Sequence, residues 1–175
     1  MKITGKIITS AAVLMTIAVA SFNVHAASGA DSSKIAALMG SKITAAQAVQ
    51  AAQGSVNGQA AEVGFKHKNG QSYYEVEVLS GGKTHEIKVD AASGKILAQK
   101  TESESKAQAK TGVSLQQAIA AAEAKTGGRA KKTELKAKNG QTVYKVETVN
   151  AAKQKYEVAV NAANGSVISS QIDND

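Results

Sequence analysis

His67 and His85, with the carboxylates of Glu75, Glu77, Glu86 and Asp90, are the side chains of this 175-residue chain best suited to hold a metal ion. Their spacing works against a site. A zinc-binding helix needs a second histidine three positions beyond a His-Glu pair, and His85-Glu86 has none there. His85 also sits in a two-residue alternation that sends it to the face opposite Glu86 and Asp90, which scatters the ligands. No catalytic, cofactor-binding or metal-binding residue is therefore assigned, and no cofactor is expected.

The other reactive patterns are missing as well. The chain contains no cysteine, no Gly-x-Ser-x-Gly elbow and no glycine loop ending in Lys-Ser or Lys-Thr for cradling phosphate. An enzyme needs convergent reactive groups, so the expectation is a protein that is not an enzyme.

The elements that would carry these residues occur twice. Gln47, Ala48, Ala51, Ala52, Gly58, Lys66, Lys68, Asn69, Gly70, Gln71, Tyr74, Val76 and Glu77 recur as the identical residue 70 positions later. Beyond Gly81-Gly82 the offset becomes 71, and Glu86, Val89, Ala91, Ala92 and Gly94 return as Glu157, Val160, Ala162, Ala163 and Gly165. An insertion confined to a turn marks two copies of one folded unit. Each copy opens with Thr44 or Ser114 three residues before Gln47 or Gln117, the capping-box arrangement of a helix start. Ala45, Ala48, Val49 and Ala52, and then Leu115, Ala118, Ile119 and Ala122, form one small-residue stripe per helix.

The period then changes to two. Phe65 and His67 alternate with Lys66 and Lys68 ahead of Asn69-Gly70, a type I′ hairpin signal. Tyr74, Val76 and Val78 form an inward set, followed after Gly81-Gly82 by His85, Ile87 and Val89; Tyr144, Val146, Tyr156, Val158 and Val160 correspond in the second copy. Asp90 and Asn161, each four residues before a glycine, close compact hairpin loops. The fold class read from this is α+β: two tandem repeats, each one helix packed on a small antiparallel sheet. Boundaries fall at 41–100 and 112–172, with a polar linker at 101–111 and a mobile N-terminal segment at 27–40 in which Ile35, Ala36, Leu38 and Met39 can form a short turn of helix.

Residues 1–26 read as a secretory signal: Lys2 and Lys6, an uncharged run from Ile7 to Phe22, then Val24-His25-Ala26 as a cleavage site. Its removal takes two lysines and no acid, so 19 basic side chains face 14 acidic ones, a net charge of +5. The expected compartment is periplasmic or extracellular, with no stable membrane insertion once the signal is gone. Few aromatics and export together argue against nucleic acid as a partner. A copy of about sixty residues has a marginal core by itself, which makes tandem packing or a homodimer the expected remedy.

A helix carrying Ala48 and Ala52, the strand Tyr74-x-Val76-x-Val78 and a closing hairpin with Glu86, Val89, Asp90, Gly94 and Ile96 together resemble the PepSY domain. Ala118, Ala122, Tyr144, Val146, Glu157, Val160, Gly165 and Val167 repeat the pattern, with Asn161 in place of the aspartate and Thr148 in place of a valine. The resemblance implies a non-catalytic exported module that restrains a peptidase or tunes proteolysis at the cell surface, and it hands over no inhibitory residue. An extended partner segment adding to a sheet edge is the mechanism the strands offer. Lys66, Lys68, Lys136 and Lys138, flanking the Asn-Gly turns, either take part in such pairing or block it. The competing reading is a structural or scavenging envelope protein whose basic surface holds an anionic polymer or lipid, or whose His67 and His85 sequester metal.

Overall fold

The computed structural model describes residues 29–102, 109–138 and 140–173. The expected signal at 1–26, linker residues 103–108 and the turn residue Asn139 lie outside them. Three helices, α1 (Gly29–Met39), α2 (Ala45–Ser55) and α3 (Leu115–Thr126), accompany eight strands. The first four are β1 (Gln59–Lys68), β2 (Gln71–Ser80), β3 (Lys83–Asp90) and β4 (Ile96–Glu102). The second four are β5 (Gly128–Lys138), β6 (Gln141–Asn150), β7 (Lys155–Asn161) and β8 (Val167–Asp173).

Both capping boxes form. Thr44 and Ser114 accept from the backbone N–H of Gln47 and Gln117, whose side chains accept in return from the cap N–H at 2.8 Å. The eight stripe residues of α2 and α3 are all buried. Both helices lie on one sheet face, α2 against β1 to β3 and α3 against β5 to β8, and touch each other. Beneath them, Tyr74, Val76, Val78, Ile87 and Val89 are buried, as are Tyr144, Val146, Val158 and Val160. Asn69 and Gly70 take positive φ, 52° and 76°, closing the first hairpin as its turn chemistry requires.

Two expectations need correction. Instead of two separate small sheets there is one antiparallel sheet in the order β4-β3-β2-β1-β5-β6-β7-β8. The reason is that β1 and β5 would each present an unpaired edge, and they pair with one another: Glu62 with Glu134, Val63 with Thr133, Gly64 with Lys132. Segment 27–40 is also more than a chain end with a turn of helix. It carries all of α1, which contacts β1 and β5 and buries Ile35 and Leu38. Ile35 and Leu38, three apart, are enough to anchor one helical face, and what they anchor to lies far along the chain.

The offset of 70 maps residues 62, 63 and 64 onto 132, 133 and 134, so the join is a pseudo-two-fold axis through Val63 and Thr133. Contacts across it are reciprocal. Gln59 donates to Ala109 O at 3.0 Å and to Thr111 Oγ1 at 3.2 Å, holding the entry to α3. Arg129, at the position equivalent to Gln59, donates to Ser41 O at 2.9 Å and Ile43 O at 2.8 Å, holding the entry to α2. Close approach also explains the repeated glycines at 58 and 128. A Cβ on Gly58 would strike the Leu79 carbonyl, and one on Gly128 would stand 2.7 Å from the Val149 carbonyl oxygen.

Thr133 carries a buried hydroxyl without a hydrogen-bond partner among the described residues, where the first copy has Val63. Thr133→Val should stabilise the protein by about 1 kcal/mol, seen as a rise of roughly 2–4 °C in thermal melting. Arg129→Ala removes a charged donor from three main-chain carbonyls, those of Met39, Ser41 and Ile43, and should cost about 2 kcal/mol in a denaturant titration. Arg129→Gln, which restores the first copy's residue, should recover part of that loss.

Candidate functional site

The structure places the histidines far apart. His67 pairs across the ladder with Ser72 and His85 with Val78, six residues further along β2. At the rise of an extended strand this separates them by about 20 Å. Both lie at the rim of the helix-covered face, where Nδ1 meets a neighbouring hydroxyl: Ser72 Oγ at 2.9 Å for His67 and Thr101 Oγ1 at 3.0 Å for His85. Glu75, Glu77 and Glu86 alternate with buried residues and project from the opposite face. Among the described residues no three His, Cys, Asp or Glu side chains gather in a metal-binding group. Asp90 is occupied by its turn: Oδ1 accepts from Ser93 N at 2.7 Å and Ser93 Oγ at 2.6 Å, and these bonds hold its carboxyl below the ordinary value. Asn161 closes the second turn in the same manner, accepting from Ala163 N at 2.8 Å.

The face away from α2 and α3 is a lattice of charges. Lys66 meets Glu75 at 3.4 Å, Lys131 meets Glu147 at 3.2 Å, and Lys145 meets Glu157 at 2.9 Å. Lys132 bridges Glu62 at 3.4 Å and Glu134 at 3.1 Å across the seam. Burial would lower the Lys132 pKa, but the two carboxylates outweigh it and the net direction is upward. A cavity of about 160 Å³ opens here between Lys34 of α1, Glu62, Lys66, Glu77, Lys131 and Glu147. Burial, with Lys131 and Lys66 nearby, pushes the Lys34 ammonium down. Lysines and carboxylates alternate on this face, so much of the basic charge that could attract an anionic polymer is already neutralised by neighbours.

The free edges of the sheet are β4 and β8, whose outer sides pair with no strand among the described residues. Lys66, Lys68, Lys136 and Lys138 stand on β1 and β5, strands inside the sheet, so they do not guard its outer edges. All seven residues of β4 are exposed. The exposed large apolar side chains lie on these edge strands: Ile96 and Leu97 on β4, Ile168 and Ile172 on β8. Each edge contains a bulge at the same place in its copy. Leu97 falls between the ladder pairs Val89 with Ile96 and Lys88 with Ala98, and Ile168 between Val160 with Val167 and Ala159 with Ser169. The sequence did not mark Leu97, Ile168 or Ile172 as edge residues, since which strand ends a sheet is not encoded in its own pattern.

Residues 42–100 and 112–171 match the family model described as "Peptidase propeptide and YPEB domain". The chain belongs to the PepSY family. It carries two PepSY domains in tandem, as the repeats implied. No curated protein matches the chain. Among solved structures, a lipoprotein candidate from Clostridium difficile 630 is similar at 19% identity, over 76% of this chain and 95% of that one, with a TM-score of 0.47. YpmB from Bacillus subtilis is 16% identical over 71% of this chain and 96% of its own, TM-score 0.35. The YpeB C-terminal domain of Bacillus megaterium is 10% identical over 75% of this chain and 66% of its own, TM-score 0.31.

The PepSY pattern residues do structural work here. Ala48, Ala52, Ala118 and Ala122 line the helix–sheet contact. Tyr74 donates to Ile43 O at 3.2 Å and Tyr144 to Val113 O at 2.9 Å, each tying a strand to the residue before a helix cap, and burial pushes both phenols up. Gly94 and Gly165 turn with φ of 72° and 77°, which a side chain would strain. With the histidines about 20 Å apart, added zinc should leave the melting temperature unchanged, and the His67→Ala, His85→Ala double variant should behave as the parent does. A zinc-dependent rise abolished by the double variant would show that the two rings do meet.

Proposed function

We propose that this PepSY protein is a non-catalytic, exported binding module, periplasmic or secreted, that regulates or inhibits a peptidase or another envelope protein. It does so by accepting an extended segment of that partner along an edge of its sheet. Each half is one PepSY unit, a helix over four strands, and the β4 edge of the first half is the receiving edge. The observation that carries this reading is the coincidence of unpaired main chain and exposed aliphatic side chains on the sheet edges, in a molecule whose other polar groups are largely engaged with each other. Backbone hydrogen bonds would give affinity, and Ile96 and Leu97 would select apolar side chains on the incoming strand. The family's description, which names peptidase propeptides, supports a peptidase as the class of partner.

The test is capture of envelope and culture-supernatant proteins on the immobilised protein, followed by assay of any retained peptidase with free protein added. Retention that survives a rise from about 0.1 to 1 M salt, where exposed charge pairs are screened, together with a fall in peptidase activity, is the expected outcome. Leu97→Lys should weaken retention by about tenfold or more, the loss of one buried aliphatic contact. Retention of salt-labile polymer alone would reverse the reading.

A further inference from the structure

We propose that the protein forms a two-fold dimer through β8, two copies of the strand pairing antiparallel about an axis at Ser170. The argument begins with the sequence of the edge, Val-Ile-Ser-Ser-Gln-Ile-Asp from Val167 to Asp173. Antiparallel pairing about Ser170 sets Ile168 opposite Ile172 of the second copy, and Ile172 opposite its Ile168. Ser169 then faces Gln171, Ser170 faces itself and Asp173 faces Val167. No charged side chain opposes another of the same sign, which would otherwise disfavour the pair.

The two isoleucines share a face. Ile172 pairs with Tyr156 and Ser170 with Val158 in the ladder to β7, which places both on the helix-covered side. The bulge adds Ile168 beside Val167 opposite Val160, on that same side. Ile168 is 50% exposed and Ile172 53% in the single chain, so each has surface left to cover. One contact repeated by symmetry thus buries four isoleucines and satisfies two unpaired strand edges, which is the self-complementary interface a two-fold dimer requires.

The other edge lacks this property. About its middle residue, Gln99, β4 would set Ile96 against Glu102, Leu97 against Thr101 and Ala98 against Lys100, with no apolar pair. Joining β4 of one copy to β8 of another, middle to middle, makes a single apolar pair, Leu97 with Ile172, and sets Ile96 against Asp173 and Thr101 against Ile168. The β8 pairing is therefore preferred to an open chain of copies. It leaves a β4 edge free at each outer end of the dimer, so this inference stands whether or not β4 receives the partner proposed above.

The axis makes a direct test. The chain has no cysteine, and directly opposed residues in an antiparallel pair have Cα atoms about 4.5–5.5 Å apart, within disulfide range. Ser170→Cys in the processed protein should give a disulfide-linked dimer on mild oxidation, while Gln99→Cys should stay a monomeric thiol. Sedimentation should show a concentration-dependent dimer that Ile172→Lys weakens by about tenfold or more with thermal unfolding little changed, because Ile172 is half exposed. A monomer at every concentration, assemblies growing beyond a dimer, cross-linking through Gln99→Cys in place of Ser170→Cys, or a dimer indifferent to Ile172→Lys would each overturn the proposal.

Discussion

The ladder of Glu62 with Glu134, Val63 with Thr133 and Gly64 with Lys132 is the constraint on which the rest of the arrangement depends. It is short, and taken alone it sets two glutamates opposite each other, which is unfavourable. Lys132 resolves that conflict by reaching both carboxylates. The two copies differ where it matters: the position occupied by Glu62 in the first is Lys132 in the second, and Gly64 becomes Glu134. The mixed seam is thus the one that opposes two glutamates, since two first copies would set Glu opposite Gly and two second copies Lys opposite Glu, and the single Lys132 serves both carboxylates.

Joining β1 to β5 has consequences at a distance. It brings α2 and α3 side by side, where Gln116 donates to Gln53 at 2.6 Å. It also lets Gln59 and Arg129 each hold the helix entry of the other half. By occupying one side of each four-stranded unit, it leaves β4 and β8 as the ends of the sheet. The functional reading follows from that last fact. Two outer strands, each bulged at one corresponding position and carrying exposed aliphatic residues, are the surfaces on which the proposed contacts rest.

Charge is spent largely within the fold. A net positive balance suggested an anionic surface as partner, yet lysines at 66, 88, 131, 132, 136 and 145 lie within ion-pair distance of glutamates on the same sheet face. Such pairs contribute modestly to stability at an exposed surface. Their larger effect is to leave that face nearly neutral, which shifts attention from the broad sheet surface to its edges.

The sequence by itself determined the local parts: the capping boxes at Thr44 and Ser114, the small-residue stripes, the inward strand residues and the turn at Asn69-Gly70. Each rests on interactions between residues close along the chain, so period and spacing reveal them. It also separated His85 from Glu86 and Asp90, because strand alternation fixes faces. Only the tertiary structure decided that β1 pairs with β5, that α1 packs on the sheet, that Arg129 bonds to the chain before α2, and which strands are outermost. Arg129 escaped notice because its counterpart is Gln59, so comparison of the copies passed over it. Strand order and edge position depend on contacts between residues distant in sequence, and a strand's own alternation records which face is buried but not which neighbour lies beside it.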